Sequence, residues 1–207
     1  MNKYFITGIG TDVGKTVVSA IVAEALHADY WKPIQAGELD YTDADKVKEW
    51  ISNTTTKIHK SSYALKTPMS PHAAASIDGI TIDLERVKEP QTPNDLVIEG
   101  AGGLLVPLND TDTMFDLVKK EYKILVVSRH YLGSINHTLL TLSELRHHGF
   151  EVAGIIFNGN TLTTTEEIIE KQGKVRVIGR VLEEAYINSG VIKKYADQFK
   201  PQLDRLK

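Results

Sequence analysis

Nine residues near the N-terminus, Gly8-Ile9-Gly10-Thr11-Asp12-Val13-Gly14-Lys15-Thr16, constrain this chain more than any other segment. They follow a short apolar run, Tyr4-Phe5-Ile6, and lead into a helical stripe of Val17, Val18, Ile21, Val22, Ala25 and Leu26 over residues 15–27. A glycine turn that closes a strand and opens a helix gathers unpaired backbone N–H groups at one point, where the helix dipole favours negative charge. Closely spaced phosphates suit such a place. Lys15 would lie along the β- and γ-phosphates, and the Thr16 hydroxyl would ligate Mg²⁺. The fit to the general phosphate-loop pattern is one residue out: its first glycine is expected at position 9, which is Ile9, with Gly8 and Gly10 on either side.

The rest of the chain repeats the strand-then-helix rhythm. Apolar strands are expected over residues 30–34, 96–98, 124–127, 152–157 and 175–178, and helices over 43–51, 113–122, 135–148, 163–172 and 189–199. The strands are continuously apolar rather than alternating, as a sheet covered on both faces requires. The expected fold is therefore α/β, a doubly wound, mostly parallel sheet of the P-loop NTPase kind with helices on both faces, in one domain over residues 1–207. Residues 53–92 fit least well. They hold four of the seven prolines (Pro68, Pro71, Pro90 and Pro93), with short helices expected only over 72–77 and near 84–87. A long excursion of this kind is often a binding element.

Composition excludes several classes. Lys+Arg 24 against Asp+Glu 27 gives a formal charge of -3, with no electrostatic reason to expect nucleic acid as a partner. The absence of cysteine removes thiolate metal sites and a Cys nucleophile, and fits a reducing cytoplasm. No stretch approaches the ~20 apolar residues of a membrane span, and the N-terminus runs directly into the glycine loop without a secretory-signal pattern. The expectation is a cytoplasmic protein without a membrane partner.

Further candidates stand where strands end. In an open parallel sheet, ligands gather outside the carboxyl ends of the strands. Glu99 ends the 96–98 strand and precedes Gly100-Ala101-Gly102-Gly103, so its carboxylate could hold Mg²⁺ while the glycines admit a ligand to the backbone. Alternatively it is a surface glutamate. Asp43 and Asp45 read equally as metal ligands or as acids of a helix first turn. Lys32, in the otherwise apolar Tyr30-Trp31-Lys32-Pro33-Ile34, should face a ligand or a carboxylate, unless its head reaches solvent.

These segments also occur in a distinctive order. Residues 4–17 resemble the extended loop Thr-Gly-x-x-Thr-Asp/Glu-Val-Gly-Lys-Thr of the dethiobiotin synthetase family, whose early glycine accounts for the misfit at Ile9. Lys32-Pro33-Ile34-Gln35-Ala36-Gly37, Thr42-Asp43-Ala44, Ser70-Pro71-His72, residues 97–103 and Leu132-Gly133-Ser134-Ile135-Asn136-His137 each resemble a further motif of that family. The resemblance implies an ATP-dependent cyclo-ligase. It would carboxylate 7,8-diaminononanoate with CO₂, phosphorylate the carbamate with MgATP and close a cyclic urea, giving dethiobiotin, ADP and phosphate.

By motif position, the resemblance implies that Lys15 and Lys32 neutralise the carbamate and the moving phosphoryl group, and that Thr16, Asp43 and Glu99 hold Mg²⁺. Gly10, Thr11, Asp12, Val13, Gly14 and Val17, with Gly100, Ala101 and Gly102, would cradle phosphates and substrate, and Asn158 would contact adenine. Ala36, Ser70, Pro71, His72, Gly133, Ser134 and Asn136 would meet the substrate, the 132–136 segment coming from the second chain of a homodimer whose site lies at the subunit boundary. Ala36 departs from the hydroxyl some members carry there, and Gly179-Arg180-Val181-Leu182 lacks the proline many members carry.

The rival reading from another class is a ParA/MinD-like regulatory nucleotide switch. Such proteins usually carry a second lysine about five residues before the Lys of Gly-Lys-Thr, where this chain has Gly10, and often end in a basic amphipathic helix, whereas residues 193–207 are mixed in charge. Amidoligases sharing the loop usually need a Cys-dependent ammonia source, which a chain without cysteine does not carry.

Overall fold

A computed structural model describes residues 1–206. Strand β1 (Lys3–Gly8) is followed by helix α1 (Lys15–Leu26), then β2 (Asp29–Trp31), β3 (Ile34–Ala36), α2 (Asp43–Trp50), β4 (Ile58–His59), β5 (Tyr63–Leu65) and α3 (Pro71–Ile77). The second half runs β6 (Leu96–Gly103), β7 (Lys123–Arg129), α4 (Ser134–His147), β8 (Val152–Asn158), α5 (Thr163–Gly173), β9 (Val177–Val181) and α6 (Ser189–Asp204). Seven strands form one sheet in the order β4-β2-β6-β1-β7-β8-β9, every pairing parallel. The chain winds outward from β1 to one side through β2 and to the other through β7, β8 and β9. The direction of winding thus reverses beside β1, and the glycine loop leaves the sheet there.

Each face is closed by helices. α1 packs on α6 and α2, and α4 packs on α5. The central strands contribute Tyr4, Phe5, Ile6, Val97, Ile98, Leu125, Val126, Ile155 and Ile156 to one continuous buried core, which is why they read as unbroken apolar runs. No described helix is long and apolar enough to cross a membrane.

Five expectations about elements need correction. The 30–34 strand is two strands: β2 stays in the main sheet, and β3 pairs with β5 in a second, two-stranded sheet. Pro33 has no N–H to continue the ladder, and its carbonyl instead accepts from Ser62 at 2.8 Å and Tyr63 at 3.1 Å. The 96–98 strand does not end at Glu99, since β6 runs on to Gly103 beside Gly8. The 113–122 helix shrinks to a 3-10 turn, Met114–Leu117, closed by a capping box between Thr113 and Asp116. Met114, Val118 and Tyr122 recur at helical spacing, but they are buried by a chain already extended at Val118. The last strand lies two to three residues later than expected, and α6 continues past residue 199 through Pro201.

The excursion over 53–92 is more ordered than its prolines suggest. It supplies edge strand β4, strand β5 and helix α3, which begins with Pro71 at its first turn where a missing N–H is harmless. β5 and α3 both pack against β3, forming a wall beside the end of β2.

Candidate active site

The glycine loop is built from backbone conformations that few residues accept. Gly14 is the N-cap of α1 at φ 94, with no side-chain cap, so the first N–H groups of the helix are left for a ligand. A Cβ at Gly8 would stand 2.5 Å from Val13 and 3.0 Å from the Gly10 carbonyl, whereas Ile9 is buried without such conflict. The tight position is therefore residue 8, which explains why Ile9 is tolerated.

Lys15 folds back so that its Nζ donates to the Gly10 carbonyl at 2.8 Å. It is only 7% exposed, and burial pushes its pKa down to about 8, against the pull of Glu99 and helped by the charge of Lys32. Lys32 lies in the same cavity with the opposite balance. Burial would lower it too, but Glu99 and Asp43 outweigh that and hold it above its ordinary value. Its Nζ donates to Glu99 Oε1 at 3.1 Å and pairs with Asp43 Oδ2.

Glu99 is not at a strand end facing water. It sits inside β6 at 1% exposure, in register with Ile6 of β1, and accepts from the Thr16 hydroxyl at 2.9 Å and the Tyr30 hydroxyl at 2.9 Å. Asp43 occupies the first turn of α2. The N-cap is Thr42, whose hydroxyl accepts from the Asp45 N–H at 3.1 Å, so Asp45 is used up in a capping box and Asp43 remains free to turn inward. Asp43 lies below its usual range: burial opposes ionisation, but Lys32 and then Lys46 prevail.

A cavity of about 730 Å³ unites these groups. Thr11, Asp12, Gly14, Lys15, Thr16 and Val17 line it from the loop and α1, Lys32 and Ala36 from the β2–β3 segment. Asp43 comes from α2, Ser70 and Pro71 from the start of α3, and Glu99, Ala101 and Gly102 from β6. Other expected residues lie elsewhere. Val13 and Gly100 are packed behind the lining, and His72 sits exposed with its Nδ1 3.2 Å from Ser70 Oγ. Gly133, Ser134 and Asn136 open α4, outside this cavity. Asn158 sits beside Gly14, its Nδ2 donating to the Val13 carbonyl at 2.9 Å. Gly10 lines a second, more apolar cavity of about 500 Å³, which shares Thr11 and Val106 with the first and is bordered by His137, Leu140 and Glu144 of α4.

Several groups that line the cavity or support its walls escaped sequence reasoning. Tyr30 stands two residues before Lys32, and alternation along an extended segment puts both on one face, a usable signal. Lys46 follows Asp43 by one helical turn and donates to Asp43 Oδ1 at 3.4 Å and Glu38 Oε2 at 2.5 Å. Glu38 and Trp50 had no signal: Trp50 reaches the cavity through the packing of α2 on α1 and β2, and Glu38 is paired there with Lys46.

No cluster of three or more His, Asp or Glu suited to a metal occurs among the described residues. The donors that do converge are two carboxylates and the Thr16 hydroxyl, hard oxygen groups of the kind Mg²⁺ takes when phosphates and water complete its shell. The donor set fits that ion.

A glycine loop at the reversal point of a parallel sheet, with lysine, threonine and carboxylates converging beside it, defines a P-loop nucleotide-binding protein, and a family model described as an AAA domain matches residues 2–189. The chain is 58% identical over 201 residues to the ATP-dependent dethiobiotin synthetase BioD of Christiangramia forsetii, covering 97% of each chain. It is 50% identical over 198 residues to that of Cytophaga hutchinsonii, covering 95% of this chain and 96% of the other. The chain belongs to the ATP-dependent dethiobiotin synthetase family and is an ATP-dependent ligase. Among solved structures it resembles the cell division ATPase MinD of Pyrococcus furiosus, with a TM-score of 0.63, 13% identity and full coverage of both chains. A putative plasmid partition protein from Borrelia burgdorferi gives a TM-score of 0.61 at 13% identity, covering 100% of this chain and 99% of the other. At that identity the likeness is one of fold, so the nucleotide-switch reading reduces to shared architecture.

Proposed function

We propose that this chain converts 7,8-diaminononanoate, CO₂ and ATP into dethiobiotin, ADP and phosphate, in a single domain, by positioning and charge neutralisation without a covalent enzyme intermediate. One amine adds to CO₂ and loses a proton, giving a carbamate. A carbamate oxygen then takes the γ-phosphoryl group from ATP, releasing ADP. The second amine attacks the carbamoyl carbon and expels phosphate, closing the five-membered urea.

The observation that carries this reading is the convergence of two buried lysines, Lys15 and Lys32, on one cavity that also holds Asp43 and Glu99. Lys15, with the loop amides of residues 11–14, neutralises the terminal phosphates. Lys32 faces the carbamate oxygens and stabilises the charge that develops there during transfer. Thr16, Asp43 and Glu99 would hold Mg²⁺, which would neutralise phosphate charge. Ala36, Ser70 and Pro71 bound the diamine end, with His72 at its rim, and Asn158 meets the base.

The same reading includes a homodimer. Residues 132–136, with Leu132 104% exposed and Ile135 also exposed, supply a surface for a second copy, which would bring Gly133, Ser134 and Asn136 to the neighbouring site. Sedimentation showing only monomer at assay concentration would remove that part. The reaction is tested by phosphate release from MgATP with and without the diamine and bicarbonate, with mass analysis of the product. Release that requires the diamine, and a product that has gained a carbonyl in place of two hydrogens, are expected. Slow release indifferent to the diamine would overturn the reading.

A further inference from the structure

The phosphate loop is held from behind at successive peptide groups. Arg129 Nη1 donates to the Asp12 carbonyl at 3.1 Å, and Asn158 Nδ2 donates to the Val13 carbonyl at 2.9 Å. The two residues end neighbouring strands β7 and β8 and are direct register partners. Neither lines the main cavity, whereas Asp12 and Gly14 do, so both carbonyls are drawn away from it. In a trans peptide the N–H points opposite to the C=O. Drawing back the carbonyls of Asp12 and Val13 therefore turns the N–H groups of Val13 and Gly14 the other way.

The segment needs such restraint. Asp12 (φ 56) and Gly14 (φ 94) are both left-handed, a conformation a non-glycine residue keeps only when its surroundings impose it. The restraint is also anchored. His130, next to Arg129, places its Nε2 2.9 Å from Glu166 Oε1, and Arg180 of β9 donates to the same oxygen through Nε at 2.9 Å. On the other side of Arg129, Ser128 shares a 2.8 Å hydrogen bond with Thr138 of α4. The strand ends carrying Arg129 and Asn158 are thus tied to α4, α5 and β9.

We propose that Arg129 is a positioning residue of the phosphate loop. With Asn158 it fixes the Asp12–Val13–Gly14 peptides so that the Val13 and Gly14 amides meet the phosphates. This rests on the reading that the loop binds a polyphosphate.

The experiment is calorimetric titration of the full chain with inorganic tripolyphosphate and with ADP, at low and at high salt, for wild type, Arg129→Ala, Arg129→Lys and Lys15→Ala. Arg129→Ala should bind both ligands roughly 5–10-fold more weakly, the effect of one lost hydrogen bond. The loss should persist at high salt, where a remote charge effect is screened. Amide hydrogen exchange at Val13 and Gly14 should quicken in the ligand-free variant while its melting temperature stays unchanged. Arg129→Lys, which keeps a donor on a long stem, should recover part of the affinity. Wild-type affinity in Arg129→Ala, or a deficit that disappears at high salt, overturns the proposal. If Lys15→Ala also binds tripolyphosphate normally, it is the phosphate-loop reading that fails; if only Arg129→Ala does, the loop reading stands without this role.

Discussion

Lys15 and Lys32 are both buried in one cavity, yet their surroundings push them in opposite directions, and different consequences follow for each. Lys15, held down to about 8 mainly by burial, is partly neutral just above that pH in the ligand-free protein. A bound polyphosphate supplies the missing counter-charge and raises it again. Nucleotide binding should therefore take up protons near pH 8–9, and affinity should fall as pH rises through that window. Calorimetry in two buffers of different ionisation enthalpy measures this, and zero net uptake would contradict it. Lys15→Ala should abolish turnover and nucleotide binding with the fold intact. Lys32, kept charged by Glu99 and Asp43, is expected to matter for chemistry rather than for ATP. Lys32→Ala should leave ATP affinity within a few-fold of wild type while urea closure stops; loss of ATP affinity alone would reassign it. At this scale the motif residues were legible because each is a residue type its chemistry requires. Tyr30 and Lys46 were less so, since a tyrosine or lysine beside a motif is usually solvated or packed.

At the scale of elements, the loop between β1 and α1 works only with glycine at its joints. A Cβ at Gly14 would lie 2.2 Å from Asn158 Nδ2, and its left-handed backbone alone costs about 1–2 kcal/mol for other residues. Gly14→Ala should lower thermal stability by about that amount and weaken nucleotide binding more than tenfold, because the displaced neighbour is the residue that holds Val13. A melting curve and an ADP titration would check it, and normal ADP affinity would mean the loop adjusts freely. Helices α1, α4 and α5 and strands β1, β7 and β8 were legible to within about two residues, since their apolar periodicity and their burial agree. The β2–β3 break was not, because Pro33 ends one ladder and starts another only where β5 is present to receive it. Nor was the 3-10 turn at Met114–Leu117, because helical spacing of apolar residues does not reveal that tertiary packing has already buried them in another conformation.

For the whole molecule, the end of the sheet opposite the site carries its own electrostatic fastening. Glu89 pairs with Lys3 of β1 and with Lys119, and accepts from the Tyr122 hydroxyl at 2.5 Å. Burial opposes its ionisation, but these partners hold its pKa down to about 2 from 4.5. A carboxylate depressed in the folded state binds protons more readily when unfolded, so its contribution is present above pH 4.5 and is lost as pH falls from there through about 2. Glu89→Gln should therefore be less stable at neutral pH and should flatten the acid limb of the stability curve. Parallel acid limbs in chemical denaturation would show that Glu89 contributes nothing there.

By itself the sequence determined the α/β class, the phosphate loop and the family, because periodicity, residue type and the order of motifs are written along the chain. Only the tertiary structure decided that Glu99 lies inside a strand with Thr16, Tyr30 and Lys32 around it, that Asp43 rather than Asp45 faces the cavity, and that Arg129 reaches the back of the loop. Those relations join residues as many as 117 positions apart, and distance in space between such residues is fixed by strand order and register, which no local pattern encodes.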